Sequence, residues 1–125
     1  MSILVIEDDE GVRESLVAIL RDEGYAAETA ANGAAALRRL AQRPLPTLIL
    51  LDLMMPKMDG VDFRSHQLAD PELRKIPVVI ISARPDVARQ AAELHVDDFL
   101  RKPMSFEELL HVVQNRALTE VGVPE

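Results

Sequence analysis

The sequence contains no cysteine and no tryptophan, and only one tyrosine and three phenylalanines. Without cysteine there can be no disulfide, thiolate metal site or cysteine nucleophile, and the composition suits a reducing cytoplasm, the expected location. So few rings leave no stacking platform for single-stranded nucleic acid, and they require a core built mainly from Ala, Val, Ile and Leu. No apolar run reaches the roughly 18 residues of a membrane-spanning helix. The N-terminus turns acidic at Glu7 and lacks the positive lead of a signal peptide. Positive charge is also scarce, with 14 Lys and Arg against 21 Asp and Glu, a net −7. Such a surface repels DNA phosphates and anionic lipid, so neither direct nucleic-acid contact nor membrane contact is expected.

What is present fits one domain. A chain of 125 residues with 48% hydrophobic content fills a single core. Short aliphatic runs recur at Ile3–Ile6, Ala26–Thr29, Thr47–Leu51, Val78–Ile81 and Asp98–Leu100. Most are continuously apolar, as in strands covered on both faces of a parallel sheet. Helical spacing lies between them. Val12, Leu16, Ile19 and Leu20 mark the first helix, with Gly24 at its end. Asn32 suits an N-cap for a second helix, closed off by Pro44 and Pro46. A third helix is expected from Gly60 to about Ala69 and a fourth from about Asp86 to Leu94. The last begins with the capping box Ser105-x-x-Glu108 and presents Phe106, Leu109, Leu110 and Val113 to the core. Five strand–helix units imply right-handed crossovers and an open, doubly wound parallel sheet. The domain is expected to span residues 1–118, with 119–125 as a tail or linker stub.

Polar residues collect at the strand ends. Asp8 and Asp9 follow the first strand, Asp52 the third, Ser82 the fourth and Lys102 the fifth. In a parallel sheet these ends share one edge, where ligands bind at the point of reversed strand order. Three carboxylates meeting there repel one another unless a cation joins them. A hard divalent ion with oxygen ligands fits, Mg²⁺ first and Mn²⁺ as a substitute. Asp52 then suits a carboxylate nucleophile toward phosphorus, Lys102 a counter-charge on the transferring group, and Ser82 a hydroxyl donor to a phosphoryl oxygen. Each residue also has a plain structural use: Asp9 as a helix cap, Lys102 as a solvated loop lysine, Ser82 as an ordinary strand-end hydroxyl. The plain readings must hold at all four strand ends together. The three histidines, His66, His95 and His111, share no ligand-like spacing and read as solvated.

These residues carry a resemblance. Ile6-Glu7-Asp8-Asp9, the run from Leu51-Asp52-Leu53-Met54-Met55-Pro56 to Gly60, Ser82-Ala83, and Asp98-Phe99-Leu100-Arg101-Lys102-Pro103 together resemble the receiver domain of two-component response regulators. The likeness covers essentially the whole chain. It implies a flavodoxin-like (βα)5 fold with strand order 2-1-3-4-5. It further implies Mg²⁺-dependent phosphorylation of Asp52 by a histidine kinase or histidine phosphotransfer protein, with Asp8, Asp9, Asp52 and the Met54 backbone carbonyl as metal ligands. Ser82 and Phe99 are the implied switch residues, remodelling the surface of the fourth helix, last strand and last helix for a downstream protein. The chain is expected to be a monomer or a phosphorylation-dependent dimer, and a switch with slow self-dephosphorylation rather than an enzyme. A commonly cis Lys102–Pro103 bond is also implied. His95 stands where the family usually has Gly, and Met54 and Arg84 stand at its variable positions. A phosphohydrolase with an Asp nucleophile is the main competing class, but its D-x-D pattern after the first strand is missing. A flavin site is disfavoured by the acidic first loop.

Overall fold

The computed structural model describes residues 2–53, 60–96 and 98–120, the last four as backbone. Five strands, β1 (Ser2–Ile6), β2 (Ala26–Ala30), β3 (Leu48–Asp52), β4 (Val78–Ser82) and β5 (Asp98–Arg101), form one parallel sheet in the order β2-β1-β3-β4-β5. The helices are α1 (Glu10–Asp22), α2 (Gly33–Leu40), α3 (Gly60–Ala69), α4 (Val87–Leu94) and α5 (Phe106–Glu120), with a 3-10 turn at Leu73–Lys75. This is the flavodoxin-like doubly wound arrangement expected, and its strand order reverses between β1 and β3.

Burial follows the pleat. β1, β3 and β4 are buried almost throughout, whereas the edge strand β2 buries only Ala27 and Ala30. Leu4, Ile6, Ile49, Leu51, Val78 and Ile80 pack against α2, α3 and α4 through Ala36, Leu40, Phe63, Val87 and Ala91. Ile3, Val5, Leu48, Leu50, Val79 and Ile81 face the other way, onto Leu16, Val17, Leu20, Leu109, Val112 and Val113 of α1 and α5. Successive residues thus serve opposite layers, as period-two alternation requires.

Helix ends match their chemistry. The Asn32 side chain accepts from Ala35 N at 2.8 Å, and Gly24 adopts φ +94. Ser105 and Glu108 exchange both capping-box bonds at 3.1 Å. Phe106 departs from expectation. It is 62% exposed, and the buried stripe of α5 is Leu109, Val112 and Val113. Phe106 is the first residue of the helix, one turn short of the sheet layer that Leu109 reaches. α5 runs to Glu120, and no helix breaker precedes Gly122.

Two polar side chains of α3 are buried. Arg64 donates from Nε to Leu94 O at 3.0 Å and from Nη2 to His95 O at 2.6 Å, while Nη1 reaches Gln67 Oε1 at 2.8 Å. Gln67 in turn donates to Leu73 O and Ile76 O. A cation thereby meets the C-terminal carbonyls of α4, a favourable position in the helix dipole. His95 closes that helix at φ 54, ψ 42, with its side chain exposed. The left-handed conformation costs an L-residue about 1–2 kcal/mol, and glycine gives back roughly 0.5–1 kcal/mol as unfolded-chain entropy. His95→Gly is therefore expected to raise Tm by about 2–4 °C in thermal unfolding; an unchanged or lower Tm would show that the turn carries no strain.

Candidate functional site

Three carboxylates converge at the C-terminal edge of the central strands. Glu7, Asp8 and Asp52 each offer an oxygen within 4.8 Å of the others; Glu7 and Asp52 are buried and Asp8 is exposed. Lys102 Nζ donates to Glu7 Oε1 at 3.0 Å and lies 3.7 Å from Asp52 Oδ2. β3 carries Asp52 as its last residue, paired with Ile81, so the sheet itself fixes this backbone. Glu7 is held the same way, its N–H donating to Ala30 O at 3.1 Å just past β1. Arg13 of α1 braces the following loop by donating to Glu7 O at 2.9 Å and Asp8 O at 3.3 Å. The Lys102–Pro103 peptide bond is cis.

The electrostatics show crowding. Burial pushes the Glu7 carboxyl above the ordinary glutamate range, a hydrogen bond shared with Asp52 pushes it further, and Lys102 only partly opposes them. Burial alone would lower Lys102. Its bond to Glu7 and the charges of Asp52, Glu7 and Asp8 outweigh that and hold the ammonium above the usual lysine value. Lys102 is thus charged at neutral pH, and the ionised site carries two negative charges in excess. A divalent cation with oxygen ligands matches both the donor type and that excess.

The carboxylates brought together differ by one residue from the expected ligand set. Asp9 is not in the group: it is the N-cap of α1, and its Oδ1 accepts from Val12 N at 2.9 Å. Glu7 stands in the group instead. The pleat supplies the reason, since Glu7 continues the series Ile3, Val5 that faces α1 and α5, as Asp52 continues Leu48, Leu50 and Lys102 continues Leu100. The Met54 carbonyl lies outside the described residues.

Ser82 and Phe99 lie on the opposite face of the sheet. Ser82 ends β4, is 1% exposed, and has its Oγ accepting from Arg84 N at 3.1 Å. Phe99 pairs with Ile80 and packs, half-buried, against the layer of α2, α3 and α4. Arg84 turns outward onto Asp86, with both contacts at 3.1 Å. Gly60 opens α3 directly against the site strand. A Cβ there would sit 2.6 Å from Leu53 Cα and 2.9 Å from Asp52 O. Gly60→Ala is expected to displace the Asp52–Leu53 backbone and to cost about 1–3 kcal/mol in chemical denaturation; a cost within 0.5 kcal/mol, roughly the scatter of neutral substitutions, would contradict the close approach.

Residues 3–114 match the family described as the response regulator receiver domain. The response regulator MprA of Mycobacterium avium is 38% identical over all of this chain and 54% of its own length; the chain spans about half the length of the curated relatives it matches. Among solved structures, the signal receiver domain of a signal transduction histidine kinase from Syntrophus aciditrophicus is 34% identical. Its TM-score is 0.86, with 99% of this chain and 94% of that one covered. A putative response regulator from Chloroflexus aurantiacus is 30% identical with a TM-score of 0.84, covering 92% and 95%.

Proposed function

The chain belongs to the response regulator receiver domain family, and on that premise we propose that Asp52 is its phosphoacceptor. Receiver domains are signalling switches of two-component phosphorelays, and Mg²⁺-dependent aspartate phosphorylation is typical of them. The observation that carries the assignment to Asp52 is the convergence of Glu7, Asp8, Asp52 and Lys102 on one strand edge.

Each residue then has a role. An Asp52 carboxylate oxygen forms a bond to phosphorus while the donor's phosphorus–nitrogen bond breaks and the donor imidazole leaves. Lys102, already 3.7 Å from Asp52, offsets charge on the transferred oxygens. Glu7 and Asp8, with Asp52, would hold Mg²⁺, which when bound supplies charge neutralisation and in-line orientation. The Ser82 hydroxyl donates to a phosphoryl oxygen, and Phe99 turns into the space that this movement opens. The faces of α4, β5 and α5 then change, a shift between two packings that a downstream protein reads. The phosphodonor is a histidine kinase or histidine phosphotransfer protein, the setting is the cytoplasm, and self-dephosphorylation is slow. The chain acts as a monomer or pairs on phosphorylation.

The test adds Mg²⁺ and beryllofluoride, a phosphoryl mimic, to the isotopically labelled chain. Amide shifts are expected around Asp52 and across α4, β5 and α5. A spectrum unchanged in those elements sinks the switch. Sustained turnover of an external phosphomonoester would instead favour a phosphohydrolase.

A further inference from the structure

We propose that Gln90 is a positioning residue that holds the Ser82 hydroxyl in the resting chain and passes its release to α4. The proposal rests on the reading of Ser82 as the hydroxyl that meets the phosphoryl group. Ser82 Oγ donates to Gln90 Oε1 at 3.3 Å while accepting from Arg84 N. A serine hydroxyl has one proton. While that proton is directed to Gln90 it cannot be donated to a phosphoryl oxygen, so capture of Ser82 by the phosphorylated site requires the Gln90 bond to break. At 3.3 Å the bond is long for an O–H donor. It holds the hydroxyl and releases it readily.

The helix that carries Gln90 is anchored unevenly. At its C-terminal end Arg64 grips Leu94 O and His95 O, and Val96 N donates to Ala91 O. At its N-terminal end the cap residue Asp86 makes no side-chain bond to the helix backbone. Its carboxylate is taken instead by Arg84 at 3.1 Å and Arg89 at 2.7 Å. Val87 stays in the core and Arg101 donates to Pro85 O at 3.3 Å, so loss of the Ser82–Gln90 bond loosens the N-terminal half of α4 from β4 while Arg64 still holds the other end. Among the described residues, the side-chain hydrogen bond of Gln90 is the one to Ser82, and the proposed effect runs through that bond.

The test uses Gln90→Leu, which keeps volume, and Gln90→Ala, which keeps helix propensity, each in the wild-type and Ser82→Ala backgrounds. Beryllofluoride is titrated with saturating Mg²⁺ and followed by amide shifts. Either Gln90 variant is expected to tighten binding about three- to tenfold, the worth of one hydrogen bond, and to change nothing once Ser82 is Ala. Equal changes in both backgrounds, no change, or weaker binding overturns the proposal. If wild type binds no beryllofluoride, the phosphoacceptor reading fails and the proposal with it. If wild type binds and Gln90→Leu makes no difference, only the proposal fails. Without metal or beryllofluoride, hydrogen exchange at Gln90 and Ala91 is expected to quicken by a similar factor in Gln90→Leu and in Ser82→Ala, with Val96 unmoved. Unaltered exchange in both also overturns it.

Discussion

Asp52→Asn is expected to abolish phosphoryl incorporation from a small donor such as acetyl phosphate in the presence of Mg²⁺. Asparagine keeps the size of the side chain and its place at the end of β3, so the fold should be retained. It removes the oxygen anion that attacks phosphorus and one of the charges offered to a cation. Loss of a nucleophile costs a rate of more than about a thousandfold, so labelling should fall to background. Circular dichroism and thermal unfolding establish that the variant is folded. Labelling of Asp52→Asn at the wild-type rate would move the acceptor to another residue, with exposed Asp8 the first to examine.

Glu7→Gln is expected to separate stability from metal binding. Glu7 is buried beside Asp52, and its folded pKa lies above the ordinary glutamate value. The folded chain therefore keeps a proton that the unfolded chain has released. Stability contributed at this position is complete below the ordinary glutamate pKa and is lost as pH rises through the raised one. At neutral pH in the absence of divalent ions, the neutral isostere should be more stable than wild type. The scale is the roughly 0.5–2 kcal/mol returned by relieving charge crowding. The same change should weaken Mg²⁺ affinity by at least about tenfold, since even indirect partners of a ligand are worth that much. Lys102 shifts the alkaline end: its raised pKa means that its contribution is complete below the ordinary lysine value and lost above it. Without its bond to Glu7 that alkaline loss should shrink. Urea denaturation across pH, with and without Mg²⁺, reads all three effects. A variant that is less stable at neutral pH yet binds Mg²⁺ as wild type does would remove Glu7 from the site.

Particular residues show what could be read from sequence. The continuous apolar runs ending in Asp52 and Ser82 located the buried strands, and a parallel sheet brings all such ends to one edge whatever the details of packing. Which two carboxylates of Glu7-Asp8-Asp9 join Asp52 was harder, because residue type does not distinguish them. For Glu7 the pleat does: counting by two from Ile3 through Val5 reaches it, on the face that Asp52 and Lys102 share. Asp9 lies one step further, where the turn into α1 needs a cap. Phe106 misled because its spacing to Leu109 and Val113 fits a stripe, although the sheet begins to cover α5 only at Leu109. Arg64 and Gln67 carry no apolar signal in the sequence, yet three-residue spacing puts them on the buried side of α3 with Gly60 and Phe63. Their partners are backbone carbonyls some 30 and 9 positions away, and no local pattern announces those.

The acceptor assignment is tested most directly by locating the acyl phosphate. The chain is phosphorylated with Mg²⁺ and acetyl phosphate, reduced with borohydride, digested and sequenced by mass spectrometry. Reduction converts a phosphorylated aspartate to homoserine. The expected result is homoserine at position 52 alone, absent when Mg²⁺ is withheld or hydroxylamine precedes reduction; homoserine at any other aspartate, with position 52 unmodified, would contradict it.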